Sequence, residues 1–358
     1  MSGVLHKKGE IVGGRYLVET YIGAGGMQEV YRAFDQLLGG PVALKAPKTE
    51  SAEKRFKRSA VVSARVNHVN VAKTLDYLEE NGGCHLIEEF VDGADLGAIL
   101  KQNPHIFDPY LAAQVFHRLA RGLAASHHAG VIHRDLKPSN VMVVGGRLFR
   151  DAKITDFGIA KMAEAEIGGV VDSEQNLTQS ATALGALPYM APEMIQSFKD
   201  ADKPADIWAL GAMLYEIIGG QKPFGVGYKA VPAIQAAIVP ALPASITSNS
   251  QFKPLATQLH EIVVSCLQKD PAARPQADAL VSMCETLCYA TNPREEGKIS
   301  KFTNGSWGFI EADGGGKGVF FHVASVFGNP ALKEGDRVGF VRHAGGGNDR
   351  AFPLVKIS

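Results

Sequence analysis

The chain has 358 residues, 46% of them hydrophobic, with 37 basic and 37 acidic side chains. This is ordinary globular composition, long enough for two or three domains and a large buried core. A formal net charge of zero excludes whole-chain attraction to DNA or an acidic membrane, so any nucleic-acid site must be local. The cysteines, Cys84, Cys266, Cys284 and Cys288, form no Cys-x-x-Cys pair and read as reduced core residues rather than a zinc site. The polar start, with His6, Lys7, Lys8 and Glu10, does not read as a signal peptide. The longest apolar run, Ile207 to Ile218, is short and broken by Glu216, so no membrane segment is expected.

Residues 14 to 47 alternate apolar and polar around glycine turns and predict a small twisted sheet. Residues 50 to 66 have a helical pattern, and 74 to 91 read as two more strands. From 93 the period becomes helical. Leu111, Val115, Leu119, Leu123 and His127 fall three to four apart, as on a buried helix. The stretch 290 to 296, polar and proline-containing, is the candidate linker. Beyond it, Gly314-Gly315-Gly316 and Gly345-Gly346-Gly347 separate short β-rich runs whose spacing fits five strands.

The chemistry concentrates at His133-Arg134-Asp135-Leu136-Lys137-Pro138-Ser139-Asn140, followed by Asp156-Phe157-Gly158. Protein phosphoryl transfer needs a base, a cation beside the moving phosphate and two Mg²⁺ ligands around one phosphate, and these segments carry all four groups. Upstream lie a glycine-rich turn, Ile22-Gly23-Ala24-Gly25-Gly26-Met27-Gln28-Glu29-Val30, and Val42-Ala43-Leu44-Lys45. Downstream lie Ala191-Pro192-Glu193, Asp206-Ile207-Trp208 and Asp270-Pro271-Ala272-Ala273-Arg274-Pro275. In order and spacing, residues 10 to 290 resemble a bacterial protein kinase of the eukaryotic Ser/Thr type.

The resemblance implies an α+β bilobal fold, with a β-rich small lobe over about 10–91 and a helical large lobe over about 92–290. It implies ATP with Mg²⁺, or Mn²⁺ as an alternative ion, as cofactors. Asp135 would be the base, Lys137 the charge neutraliser, Lys45 the phosphate-holding cation, and Asn140 and Asp156 the metal ligands. Ile22, Gly23, Gly25, Val30, Ala43, Lys45, Glu88, Glu89, Val91 and Met142 would line the nucleotide site. Arg134 implies a pocket for an activation-loop phosphate, with Thr178, Ser180 and Thr182 as candidate acceptors. Arg274 would pair with Glu193. Kinases of this type are often membrane-tethered after the catalytic domain; this one is expected to be cytoplasmic. Its partners would be protein substrates, with a homodimer left open.

Four positions depart from the pattern. Gln28 replaces the third glycine, and Ala186 replaces a threonine that contacts the catalytic Asp and Lys. Ser59 stands where the small-lobe helix carries the glutamate that orients the lysine, while Glu88 occupies a position before the hinge that is usually neutral. Two readings of Glu88 stay open: it replaces the helix glutamate, or local β distortion turns it to solvent. The departures support a rival reading, a pseudokinase scaffold. Retention of Lys45, Asp135, Asn140 and Asp156 favours the enzyme.

Residues 297 to 358, after a linker at 291–296, resemble a cold-shock domain through Gly297-Lys298-Ile299, Trp307-Gly308-Phe309-Ile310, Val319-Phe320-Phe321-His322 and Leu332 to Phe340. That implies a five-stranded all-β barrel of the OB type that binds single-stranded RNA or DNA on exposed rings. Trp307, Phe309, Phe320 and His322 match the nucleic-acid motifs. Lys301 and Val323 stand where the family usually has aromatics, which thins the platform. Eight basic and five acidic side chains leave a charge of +3, a modest attraction for phosphate. A barrel that docks protein substrates is the competing reading.

Overall fold

Along the small-lobe strands, buried residues alternate with half-buried ones, so one sheet face makes a core and the other is left for chemistry. The sheet is antiparallel in the order β1-β2-β3-β4-β6-β5. It contains β1 (Ile11–Val12), β2 (Tyr16–Ala24), β3 (Gln28–Asp35), β4 (Gly40–Pro47), β5 (Thr74–Glu80) and β6 (Gly83–Glu89). Val12, Tyr16, Val18, Tyr31, Ala33, Val42, Leu44 and Ile87 fill the core face. Helix α1 (Glu50–Ser63) packs on the opposite face, through Phe56 and Ala60 against Cys84 and Leu86. This computed structural model describes residues 4–357 apart from 26–27, 81, 103–106, 158–184 and 198–200.

The large lobe is helical. After β7 (Gly93–Asp95) come α2 (Leu96–Gln102) and α3 (Pro109–His128), the latter buried along most of its length. The start of α3 is fixed by Pro109 and by the Asp108 carboxylate, which accepts from the backbone N–H groups of Tyr110 and Leu111 at 2.9 and 3.1 Å. Strands β8 (Val141–Val144) and β9 (Asp151–Ile154) join β7 in a three-stranded sheet. Three further long helices follow: α4 (Lys203–Gly219), α5 (Lys253–Cys266) and α6 (Ala277–Glu285). Helix α4 crosses α5 so closely at Gly211 that a Cβ there would lie 2.4 Å from Cys266 Cβ. Cys84, Cys266 and Cys284 are buried free thiols, but Cys288 is exposed, a correction to the all-core reading. It lies beyond the end of α6, where the helical face that buries Cys284 no longer continues. Among the described residues, no helix is long and apolar enough to cross a membrane.

A closed five-stranded barrel ends the chain, in the order β10-β11-β12-β14-β13. Its strands are β10 (Arg294–Thr303), β11 (Trp307–Ala312), β12 (Val319–His322), β13 (Arg337–His343) and β14 (Arg350–Lys356). Strand β10 begins at Arg294, so residues 294–296 of the sequence-assigned linker are already paired with β13. The barrel core is Ile299, Ile310, Val319, Phe321, Val338, Phe340 and Leu354. Gly308 lets β10 and β11 close: a Cβ there would sit 2.2 Å from Lys301 O and 2.7 Å from the Phe321 ring.

The barrel is docked on the large lobe. Phe327 and Val355 are part of the lobe's hydrophobic core, and Phe252 stacks on Phe352 and meets Phe327 edge-on. A buried ion pair also joins Arg294 to Asp108, the cap of α3. Asn249 donates to the carbonyl of Ala324 at 3.1 Å. Just before Arg294 the chain is tied to α3 by hydrogen bonds between Gln114 and the Ala290 carbonyl and between His117 and Tyr289.

Candidate active site and nucleic-acid interface

Pairing of β8 with β9 sets the candidate catalytic residues. Val141 lies opposite Ile154, and Thr155 N donates to Asn140 O at 2.9 Å, so Asn140 and Asp156 emerge from adjoining ends of one hairpin. The Asn140 amide nitrogen donates to the Asp135 backbone oxygen at 2.8 Å and to its carboxylate at 3.1 Å, leaving the amide oxygen as the end available to a cation. Lys137 Nζ contacts both Asp135 oxygens, at 2.9 and 2.7 Å.

Asp206, on α4, organises this loop from beneath. Its buried carboxylate accepts from the backbone N–H groups of His133 and Arg134 at 2.8 and 2.7 Å and pairs with His127 of α3 at 3.0 Å. Arg134 (φ 62°) and Asp156 (φ 63°) both occupy the left-handed region, a strain of about 1–3 kcal/mol each that surrounding hydrogen bonds must hold. The His133 ring contacts the Thr155 carbonyl at 2.9 Å and packs on Phe157 with centroids 4.6 Å apart.

Lys45 enters from β4. Its cross-strand partner on β6 is Leu86, and Ala43 faces Glu88, so Glu88 is the same-face diagonal neighbour of Lys45. Long side chains reach across such a diagonal. The two charged groups are in contact, both nearly fully buried, and Lys45 also meets Asp156 Oδ1 at 2.6 Å. Glu88 is 4% exposed, so the solvent-facing reading is overturned. Burial pushes the Lys45 ammonium down, but the Asp156 and Glu88 carboxylates outweigh it, and the net shift is upward. Burial, aided by the neighbouring Asp156 carboxylate, pushes Glu88 up against the pull of Lys45; burial also pushes Asp156 up, but Lys45, Gln28 and His133 together outweigh it, and the net is downward.

Gln28 donates to Asp156 Oδ1 at 3.3 Å, while its own buried Oε1 has no partner among the described residues. Gln28, Val30, Ala43, Lys45 and Glu88 share the sheet face opposite the small-lobe core, which brings these expected nucleotide-site residues together. Gly23 is half-buried, whereas Ile22 is 53% exposed at the rim and Gly25 is also exposed. At the hinge Glu89 bonds Lys153 of β9 at 2.5 Å, Val91 is buried, and Met142 lies half-buried opposite Lys153. Arg274 holds Glu193 in a bidentate pair at 2.6 and 2.8 Å. Arg134 Nε donates to the Ala201 carbonyl at 3.1 Å, and Ala186 is buried beside the loop. Thr178, Ser180 and Thr182 lie outside the described residues.

On the barrel, Trp307 pairs with His322 and Phe309 with Phe320. The Trp307 and Phe320 rings stack at 6.1 Å, and Phe309 meets Phe320 edge-on at 5.9 Å. All three are partly exposed and His322 is exposed, while Phe321 turns into the core. Lys301 lies opposite Phe309 and Arg350 opposite Phe320, so one row across four strands reads cation, ring, ring, cation. The contacts that dock the barrel use β10, β14 and the segment after β12, and among the described residues none of them involves this row.

A β-rich lobe and a helical lobe meeting over Lys45, Asp135, Asn140 and Asp156 define the bilobal protein-kinase fold. The protein kinase domain model matches residues 16–284, and the chain belongs to that family. Residues 295–357 match the cold-shock DNA-binding domain. Similar proteins include the probable serine/threonine-protein kinase PknB of Corynebacterium glutamicum, 32% identical over 277 residues, which cover 74% of this chain and 41% of that protein. They also include serine/threonine-protein kinase PknA of Mycobacterium tuberculosis, 31% identical over 293 residues, covering 77% and 62%. A third is serine/threonine-protein kinase pkn2 of Myxococcus xanthus, 32% identical over 291 residues, covering 78% and 34%. The chain thus spans about two fifths of the first curated relatives it matches.

Proposed function

We propose that this chain is a cytoplasmic protein serine/threonine kinase, with its kinase unit over about residues 10–290 and a barrel that binds single-stranded nucleic acid. The observation that carries the reading is the convergence of a Lys137-paired Asp135, Asn140, Asp156 and Lys45 on one cleft. ATP with Mg²⁺ fits this donor set: one amide oxygen and one carboxylate are hard oxygen ligands, and Lys45 and Lys137 are cations for phosphate oxygens. When bound, Mg²⁺-ATP supplies the phosphoryl group and neutralises its charge. Asp135 orients the substrate hydroxyl and takes its proton as the new P–O bond forms and ADP leaves. Lys137 meets the charge on the moving phosphoryl group. For the barrel, the supporting feature is the row Lys301, Phe309, Phe320, Arg350, which offers ring faces to bases between two cations for the backbone.

The test is transfer of labelled γ-phosphate from Mg²⁺-ATP to the protein itself and to a generic basic acceptor, with Asp135→Asn as control. Incorporation lost in the control is the expected result. None above control, from folded protein, would favour the scaffold. Single-stranded oligonucleotide binding is expected to vanish in Trp307→Ala/Phe320→Ala; its absence in the wild type would favour a protein-docking barrel.

A further inference from the structure

The geometry points to Glu88 as the residue that positions Lys45, taking from the sheet the part that the small-lobe helix plays elsewhere. This rests on the kinase reading above. In kinases the phosphate-holding lysine is set by a glutamate on that helix, and the pair forms only when the helix is in place. Here α1 carries Ser59 at that point. Its only acids, Glu50 and Glu53, lie in its first turn, and six residues from Glu53 to Ser59 amount to about 9 Å of helix. Among the described residues, the carboxylate partners of Lys45 are Glu88 and Asp156, neither of them on α1.

The placement of Glu88 is a consequence of register. Ala43 and Glu88 are direct partners, and the small alanine leaves the Glu88 chain free to lean along the strand toward Lys45, two residues away on the same face. A carboxylate buried there without a cation would be expensive, as would a lone ammonium. The charges are also balanced for metal binding. Lys45 now faces two carboxylates; once a cation takes Asp156, one ammonium and one carboxylate remain.

The regulatory meaning differs from that of a helix glutamate. Both members of the Lys45–Glu88 pair sit on adjacent hydrogen-bonded strands, so their distance does not change when α1 rotates or shifts. A partner or phosphorylation event that works by swinging α1 has no lever on this pair. Control of the enzyme must act elsewhere in the cleft.

The experiment compares Glu88→Gln, Ser59→Ala and Glu88→Gln/Ser59→Glu in the full chain, by kinetics and by the rate at which an adenosine sulfonyl fluoride labels Lys45. Glu88→Gln is expected to lower kcat/KM by about 100-fold, mostly in kcat, because a misplaced charge near the reacting centre costs about that much. Ser59→Ala is expected to stay within about 3-fold of wild type, because it removes no charge from the Lys45 site. Moving the carboxylate to the helix is expected to restore at least about 10-fold, as a repositioned charge would. Labelling near pH 8 is expected to speed up in Glu88→Gln and slow again in the double variant. Thermal unfolding of each variant checks the fold, and Glu88→Asp, too short to reach, replaces Glu88→Gln if that variant does not fold. Activity and labelling both unchanged in the Glu88 variants would overturn the inference. A wild type that transfers no phosphate defeats the kinase reading instead, and labelling then decides the role of Glu88 by itself.

Discussion

Replacing Arg294 by Met should separate the barrel from the lobe, and the structure sets the size of the effect. Arg294 and Asp108 are both buried, so removing the guanidinium strands a buried carboxylate between barrel and lobe. Breaking a buried ion pair at one partner costs about 3–5 kcal/mol. The lower end applies because Asp108 keeps its two cap donors on α3. With a urea slope of about 3 kcal/mol per M, a loss of about 3 kcal/mol moves the unfolding midpoint by about 1 M. Asp108→Asn preserves a good helix cap while removing the charge, so a cycle with Arg294→Met isolates the pair, with an expected coupling of about 2–3 kcal/mol. The chain has two tryptophans, Trp208 in the lobe core and Trp307 on the barrel, so fluorescence with and without Trp307→Phe follows each part. The wild type is expected to show one transition and Arg294→Met two. A midpoint within about 0.2 M of wild type, or coupling below about 0.5 kcal/mol, would refute the reasoning.

Gly211→Ala is expected to destabilise the large lobe by about 1–3 kcal/mol, the usual cost of overpacking, read as a lower urea midpoint. Cys266→Ala should not rescue it, because the collision is with Cys266 Cβ rather than the sulfur. Acid sensitivity tests the small lobe. A hydrogen bond from Arg15, aided by the backbone N–H groups of Leu38 and Leu37, holds the Asp35 carboxyl down at about 2. A depressed carboxyl contributes stability that is present above the ordinary carboxylate range and is lost as pH falls toward 2. Arg15→Ala is therefore expected to raise the pH at which far-UV circular dichroism reports acid unfolding. No change would mean that Arg15 contributes nothing there.

The motifs that were legible are those in which chemistry and sequence are local. Asp135, Lys137 and Asn140 share a six-residue loop, and their mutual contacts follow from that proximity. The five barrel strands were readable because glycine clusters punctuate them, and alternation placed Trp307 with Phe309 and Phe321 on opposite faces. Glu88 needed the β4–β6 register before its two readings could be separated, since a shift of one residue reverses a side chain's face. The Asp108–Arg294 pair spans 186 positions, and no local pattern around either residue points across the domains. Asp206 was visible only as a family landmark; its three bonds to the catalytic loop and α3 need the tertiary packing of α4. Gln28 read as a lost glycine, whereas its amide reaches Asp156 across the cleft.

The buried carboxylate behind the proposed nucleotide site also bears on medicinal chemistry. An inhibitor that extends an apolar group toward the rear of this cleft meets the Glu88–Lys45 contact instead of a neutral wall. It must either leave that contact intact and stop short, or bury a charge without compensation, which costs several kcal/mol. A compound ending in an amidine or primary amine carries its own counter-charge for the carboxylate. Selectivity between this chain and kinases with a neutral residue at that position can thus be sought in the charge of a single substituent, with no change to the hinge-binding scaffold.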